Sequence, residues 1–321
     1  MGGKQFFTNK KTVIFIAVFC CVLWGSAYPG VKAGYSLFQI STHQIYSELS
    51  FAGLRFVLAG LMVLIYALIA GRPVFQFSRR QVGELILLGL FETTFQYVFF
   101  YIGLSHTSGV KASIMNATSV FFSVIIAHFI YQNDRITFNK TIGCLVGFLG
   151  VLLVNFSSDL LSFHFNFTGE GFIAIAAFAF SAAAIYGKRV CQHLDSVVVT
   201  GYQLLIGGAV LLTTGLSQGG GVTHFTVASV TILLYLGLLS ALAFTLWTIL
   251  LTYNKVGAIA VYNFLIPVSG VILSSIFLHE NILEWKNALA LLLVCFGIYA
   301  VNRQGDRAIA ARGDLNTATK S

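Results

Sequence analysis

Charged residues are scarce in this chain. Asp, Glu, Lys and Arg together make up 9% of the 321 residues, whereas a soluble globular protein carries roughly a quarter. Hydrophobic residues make up 57% of the chain, and 30 residues are Phe. A water-soluble core of this size cannot bury so much apolar surface. The composition therefore excludes a soluble globular protein and predicts an all-α polytopic membrane protein.

Signatures of enzymes and of metal sites are missing as well. The sequence contains no HExxH, and its SQGGG run lacks the Lys and Ser/Thr of a phosphate-binding loop. The five cysteines show no metal-ligand spacing, so we expect buried free thiols. We therefore expect no cofactor and no metal, and an intramembrane enzyme is the least favoured class. The formal net charge of +8 is assigned to membrane loops rather than to nucleic-acid binding.

Apolar runs long enough to cross a bilayer recur along the chain, and a spanning helix needs about 20 such residues. We count ten. The predicted spans are Thr12–Val31, Glu48–Ala70, Val82–Leu104, Gly109–Tyr131, Thr141–Asn155, Gly171–Gly187, Val197–Leu216, Val227–Leu251, Gly257–Leu278 and Asn287–Val301.

Positive charge is distributed unevenly among the loops. Of the 19 Lys and Arg, all but Lys32, Arg55, Lys111 and Lys286 lie at the termini or in the loops after spans 2, 4, 6 and 8. Cytoplasmic loops of membrane proteins are enriched in Lys and Arg. The pattern predicts a multi-pass protein of the plasma (inner) membrane with both termini in the cytoplasm.

The chain contains an internal repeat. A shift of 147 residues places Asn116 on Asn263 and Asn155 on Asn302 without a gap. The unit holds five spans, and an odd unit inverts in its second copy. We therefore predict two inverted five-helix repeats, residues 1–155 and 156–303, followed by a mobile cytoplasmic tail, residues 304–321. Inverted repeats are typical of secondary transporters, whose substrate sites lie near the bilayer midplane.

Three stretches carry a resemblance to a known family: LWGSAYPGVK at Leu23–Lys32, FAGLRFVLAG at Phe51–Gly60 and NFLIPVSGVILSSIFLHENI at Asn263–Ile282. The chain resembles the ten-helix EamA-like branch of the drug/metabolite transporter superfamily. This resemblance implies two inverted five-helix halves around a central cavity and export or exchange of small metabolites without ATP. The chain departs from the family at Val120, which stands opposite Pro267, so symmetric hinging of spans 4 and 9 is not expected.

Polar residues inside spans are the candidates for a substrate pathway, because such residues are costly in lipid. Glu92 either couples transport to protons or binds a cationic group, unless it forms a fixed ion pair with Arg55 or Lys111. Gln96 lies one turn further along the same face and binds a polar substrate or joins helices. Arg55 is a structural anchor or a carboxylate clamp.

The remaining candidates flank the loop after span 3 or are related by the repeat. Lys111 binds a substrate carboxylate or extends to the interface. Asn116 and Asn263 line a cavity or join helices by hydrogen bonds. Tyr28 and Tyr262, with Trp24 and Trp247, line an aromatic cavity, pack in the core or face lipid. Charge counting places Lys111 near the outer mouth and Glu92 deeper, towards the cytoplasm.

These observations predict a secondary transporter that exports small, amino-acid-like solutes by alternating access. The predicted substrate-binding residues are Tyr28, Glu92, Gln96, Lys111, Asn116, Tyr262 and Asn263. The alternatives are an importer or exchanger of sugar- or nucleotide-type solutes and a non-transporting structural or signalling membrane protein. The expected partners are a small-molecule solute and the lipid bilayer. The GxxxG motif at Gly143 and Gly147 leaves a homodimer possible in addition.

Overall fold

The computed structural model describes residues 2–41, 44–156, 165–278 and 285–318. Across these ranges the chain is helical and contains no β-strand, which confirms the all-helical prediction. Eight of the helices in this part of the chain are long and apolar enough to cross a membrane, and two further apolar helices are shorter. The polar stretch Ser157–Gly169 and the family-like stretch up to Ile282 lie partly outside the described residues.

We label the main helices α1 to α10 in chain order and leave the short N-terminal helix Gly2–Thr8 unlabelled. They are α1 Lys10–Leu37, α2 Ile45–Ile69, α3 Arg79–Ser105, α4 Gly109–Ile130, α5 Phe138–Val154, α6 Phe167–Val190, α7 Ser196–Ser217, α8 Val227–Tyr253, α9 with its segments Val256–Ala260, Val261–Phe264 and Leu265–Leu278, and α10 Trp285–Ala318.

Two helices extend more than one turn beyond the predicted C-terminal ends of their spans. α1 continues through Pro29 to Leu37, whereas the sequence placed its end at Val31. α10 continues past Val301 as far as Ala318. Residues 319–321 lie outside the described ranges, and the mobility of the tail stays a prediction.

Three helices lose regular α geometry within their length, and α6 begins with a π-helical turn, Phe167–Gly171. α3 contains a π-helical turn at Gly89–Phe95, and such turns are frequent at functional sites. In α9 a 3₁₀ turn, Val261–Phe264, precedes Pro267. α4 is interrupted at Thr118, although the residue opposite Pro267 in the repeat is Val120 and not a proline. α4 is therefore irregular even though it contains no proline.

Small residues allow close packing between pairs of helices. A methyl group on Gly60 of α2 would lie 2.5 Å from the backbone N of Leu205 in α7. Likewise, a methyl group on Gly143 of α5 would lie 2.7 Å from the backbone O of Gly297 in α10. The GxxxG face of α5 is thus covered by α10 of the same chain, so it does not offer the dimer surface that the motif suggested.

Four of the five cysteines are buried free thiols, as expected, whereas Cys295 is exposed. No group of His, Cys, Asp and Glu in the described ranges is arranged to hold a metal ion.

Candidate functional site

A cavity of about 410 Å³ lies between seven of the described helices, α1, α2, α3, α4, α6, α8 and α9. Its volume falls within the usual range for small-molecule sites, roughly 300–1,000 Å³. Trp24, Asn263 and Pro267 line its inner part, and Leu104 and Gly109 line it beside the α3–α4 loop. The cavity therefore extends from the middle of the bundle towards the end that carries this loop.

Aromatic rings form much of the cavity wall. Trp24 packs edge-on against Phe244, with 5.5 Å between ring centroids, and against Trp247 at 5.1 Å. Tyr28 is 41% exposed and lines the cavity. Tyr97 packs on Phe56 with centroids 4.6 Å apart. A solute in this cavity would meet flat apolar surfaces on several sides.

Two amide side chains on the wall have unused acceptors. Gln96 and Asn263 are 8% and 5% exposed, and both line the cavity. The Oε1 atom of Gln96 and the Oδ1 atom of Asn263 are buried without a hydrogen-bond partner in the described part of the chain. Buried polar atoms normally have a partner, so each oxygen can accept a hydrogen bond from a bound molecule.

Arg55 is the most deeply buried cation of the wall, at 4% exposure. Its Nε donates a 2.7 Å hydrogen bond to Oγ of Ser240, and its guanidinium carbon lies 5.1 Å from the ring centroid of Phe56. Within the described ranges it has no ion pair. Lys32 also lines the cavity, and none of the described lining residues is Asp or Glu.

Glu92 lies outside this cavity. It is 6% exposed and sits in the π-helical turn of α3. There it lines a separate pocket of about 10 Å³ together with Gln203, Gly187 and Lys188. A pocket of this size holds about one water molecule. Among the described residues Glu92 forms no ion pair with Arg55 or Lys111, which speaks against the alternative of a fixed ion pair.

Lys111 also lies outside the cavity wall, although its neighbour Ala112 is part of it. The Nζ of Lys111 is 3.6 Å from Oε1 of Glu170. Glu170 accepts further hydrogen bonds from the Thr107 hydroxyl, at 2.8 Å, and from the backbone N of Asn166, at 2.7 Å. Lys111 is therefore part of a polar cluster between the α3–α4 loop and the start of α6.

The structure brings four of the seven predicted residues together: Tyr28, Gln96, Asn116 and Asn263 line one cavity. Tyr262 does not join them. It is 4% exposed within the apolar core, and its backbone O accepts a hydrogen bond of 3.2 Å from Sγ of Cys21.

Sequence reasoning missed Glu170, because this residue stands at the edge of a polar stretch and reads as part of a loop. It also left Arg55 undecided between an anchor and a clamp. The available signal for Arg55 was its position as a charged residue inside a predicted span.

Polar contacts close the opposite end of the bundle, which carries the α4–α5 loop. Asp134 in this loop pairs with Nζ of Lys140 and accepts a 2.9 Å hydrogen bond from the backbone N of Gly257. The Nζ of Lys188 lies 5.2 Å from the ring centroid of Tyr131 and donates a hydrogen bond to the backbone O of Asn254. We call this set of residues the latch; its members are Tyr131, Asp134, Lys140, Lys188, Asn254 and Gly257.

Comparisons with known proteins assign this arrangement to a family. A sequence model described as the EamA-like transporter family matches residues 11–156 and 167–303. The uncharacterized transporter YvbV of Bacillus subtilis is 27% identical over 314 residues, covering 96% of this chain and 97% of the relative. A probable amino-acid metabolite efflux pump of Salmonella typhimurium is 25% identical over 303 residues, covering 89% and 93%.

A solved crystal structure is similar to the chain with a TM-score of 0.73 and 16% sequence identity, over 90% of this chain and 97% of the other. At this identity the likeness shows the fold alone. The family match covers most of the chain, and the relatives are named as transporters rather than as enzymes. This protein therefore belongs to the EamA-like transporter family, within the drug/metabolite transporter superfamily, and is not an enzyme.

Proposed function

We propose that this protein is a secondary transporter that exports small metabolites, amino-acid-like solutes among them, by alternating access. The observation that carries this proposal is the asymmetry of the bundle. A cavity of about 410 Å³ approaches the end with the α3–α4 loop, while the latch closes the other end. An alternating-access transporter in one of its two end states has this form.

We further propose ten membrane spans in two inverted five-helix repeats, residues 1–155 and 156–303. The 147-residue shift supports this, because it brings α2 onto α7, α3 onto α8, α4 onto α9 and α5 onto α10 to within a few residues at their starts. The two stretches that match the family model, 11–156 and 167–303, agree with the same division. In addition, α2 packs closely on α7 and α5 on α10, as expected for helices related by an axis between the halves.

The proposed location is the plasma (inner) membrane with both termini in the cytoplasm. This orientation is supported by the Lys and Arg of the latch end, which also carries Arg72, Arg79, Arg80 and Arg189. In this orientation the latch is cytoplasmic and the cavity approaches the outer side. The proposed direction, export, is supported by the name of the Salmonella relative.

Within the cavity we propose that Tyr28, Gln96, Asn116 and Asn263 contact the solute. Glu92 is proposed as a proton-coupling group rather than as a direct ligand, because its pocket lies on the latch side of the cavity. Lys111 is engaged with Glu170 and Tyr262 is in the core, so we assign solute contact to neither.

The experiment for this function is flux in proteoliposomes that contain the purified full-length chain. Vesicles are loaded with a mixture of radiolabelled amino acids and organic acids, and efflux is followed with and without a pH gradient. We expect efflux above that of protein-free vesicles for at least one solute, and a dependence on the pH gradient. Efflux equal to that of protein-free vesicles for every solute would contradict the proposal.

A further inference from the structure

We propose that Arg55 binds a carboxylate group of the transported solute. The proposal rests on the transport function above and adds the chemical class of its substrate, which is an organic acid with an apolar or aromatic body. An amino acid and a simple carboxylic acid both offer this group, and the experiment below distinguishes them.

The charge of Arg55 is not balanced by a neighbouring acid among the described residues. Arg55 is 4% exposed, and the described part of the chain provides no carboxylate within ion-pair distance of it. Glu48, the buried acid on the same helix, lies about two turns earlier, and no ion pair between it and Arg55 is formed in the described part of the chain. A buried charge normally has a charged partner or a full set of hydrogen bonds. An anion from outside the protein would supply what is missing here.

Most hydrogen-bond donors of Arg55 are unused in the part of the chain that the structure describes. A guanidinium group carries five N–H donors in a planar fork. In Arg55 the Nε donor is used by Oγ of Ser240 at 2.7 Å. No other hydrogen bond of Arg55 is formed within the described ranges, so the four Nη donors remain. Two parallel N–H groups on these atoms match the two oxygens of a carboxylate.

The guanidinium group of Arg55 is held in a fixed orientation. The hydrogen bond to Ser240 holds Arg55 of α2 against α8, and the Phe56 ring lies under the guanidinium carbon at 5.1 Å. A donor fork that is already held in place loses less conformational entropy when it binds a ligand. Arg55 is therefore prepared for an anion.

The cavity wall around Arg55 is positively charged and rich in aromatic rings. Arg55 and Lys32 are the cations among the described lining residues, and that lining contains no acidic residue. The rest of the wall is rich in aromatic rings, including Trp24, Tyr28 and Phe100. Arg55 and Lys32 would repel a solute that carries only positive charge. A small hydrophilic anion would leave the aromatic rings without an apolar contact. An organic carboxylate with an apolar body fits both features.

The test measures binding to the purified full-length chain by tryptophan fluorescence, since Trp24 lines the cavity. The probes share one aromatic body: 3-phenylpropionate, its uncharged amide, phenylalanine and phenethylamine. We expect the wild-type protein to bind 3-phenylpropionate and to bind the amide and the amine at least about tenfold more weakly, because a hydrogen bond to a charged group is worth more than a neutral one. Binding of phenylalanine as tight as that of 3-phenylpropionate identifies amino acids as a source of the carboxylate, and weaker binding identifies simple acids.

Variants assign the effect to Arg55. We expect R55M to lose about 10- to 100-fold in affinity for 3-phenylpropionate and to leave affinity for the amide unchanged. R55K keeps the charge without the fork and should lose less. S240A keeps the guanidinium but removes its anchor and should also lose part of the affinity. Arg80, whose side chain is 84% exposed at the other end of the bundle, provides the control: R80M should bind like the wild type.

Size-exclusion profiles and melting temperatures report whether each variant is folded. If R55M does not fold, R55K and S240A carry the test. The assignment is wrong if the wild-type protein binds neither 3-phenylpropionate nor phenylalanine, or if the folded Arg55 and Ser240 variants bind them as tightly as the wild type. Arg55-dependent binding without flux in proteoliposomes would leave this site in place and refute the transport function. Flux of uncharged or cationic solutes that is unchanged in R55M would support the transport function and refute the Arg55 site.

Discussion

The carboxylate of Asp134 accepts a 2.9 Å hydrogen bond from the backbone N of Gly257. Asp134 lies in the α4–α5 loop and is 2% exposed, while Gly257 lies in the first turn of α9. The other oxygen of the same carboxylate pairs with Nζ of Lys140. One side chain therefore ties the two proposed repeats together at the closed end of the bundle.

Replacing Asp134 should open this end. In D134A the hydrogen bond to Gly257 is lost and Lys140 becomes a buried charge without its partner, a change that costs roughly 3–5 kcal/mol. We expect the buried thiol of Cys144, one turn from Lys140, to react with a maleimide at least about tenfold faster than in the wild type. Mass spectrometry of the labelled protein measures the rate. R80M is the control, and an unchanged Cys144 rate in D134A would show that the latch does not hold this end closed.

Glu92 should govern proton coupling without governing solute binding. The side chain is buried in the small pocket beside Gln203 and Lys188, away from the cavity. E92Q keeps the shape of the side chain and removes its titration, so we expect solute exchange to persist while accumulation driven by a pH gradient is lost. Uptake into vesicles with and without the gradient measures both quantities.

The control for this variant is E84Q, which changes a second carboxylate on α3 that contacts Arg80 and His193. We expect E84Q to keep gradient-driven accumulation. Wild-type accumulation by E92Q at every pH would rule out Glu92 as the coupling group.

The unpartnered oxygens of Gln96 and Asn263 should contribute to solute affinity. In Q96A or N263A a solute that donates a hydrogen bond to these oxygens loses that bond, which is worth about 0.5–1.5 kcal/mol, or roughly 2- to 12-fold in affinity. Fluorescence titration measures the change. Asn155 is a matched control, because its amide nitrogen donates to Val151 within its own helix. Equal affinities for N263A, Q96A and N155A would remove both oxygens from the binding site.

The contact between α5 and α10 should tolerate no added methyl group. A Cβ atom at position 143 would lie 2.6 Å from Cγ2 of Val301, and such overpacking costs about 1–3 kcal/mol. We expect G143A to lower the melting temperature in detergent. At Gly83 in α3 a Cβ atom would meet nothing within 4 Å, so G83A should keep or slightly raise it. Equal melting temperatures for the two variants would contradict this packing.

Several features of this molecule could be predicted from the sequence because they depend on periodicity and solvation. Apolar runs locate the helices, since an unpaired backbone is costly in lipid. The same cost identified Gln96 and Asn263 as residues that do not face lipid, and both line the cavity.

Other features depend on which helix faces which, and the sequence does not contain this information directly. The partner of Lys111 is Glu170, 59 positions later in the chain, and no local pattern links them. Glu92 and Gln96 are one turn apart, but the π-helical turn at Gly89–Phe95 alters the spacing of their faces, so they line different pockets. α1 passes through Pro29 because a membrane helix can satisfy the freed backbone group through its neighbours.

The central claim is that this chain moves solutes by alternating access. Counterflow tests it most directly: proteoliposomes are preloaded with an unlabelled solute that the protein binds, diluted into a trace of the same solute in labelled form, and followed without any ion gradient. Alternating access predicts transient accumulation of label inside vesicles that contain the wild-type protein. Label that never exceeds equilibrium, in vesicles whose protein demonstrably binds the solute, would contradict it.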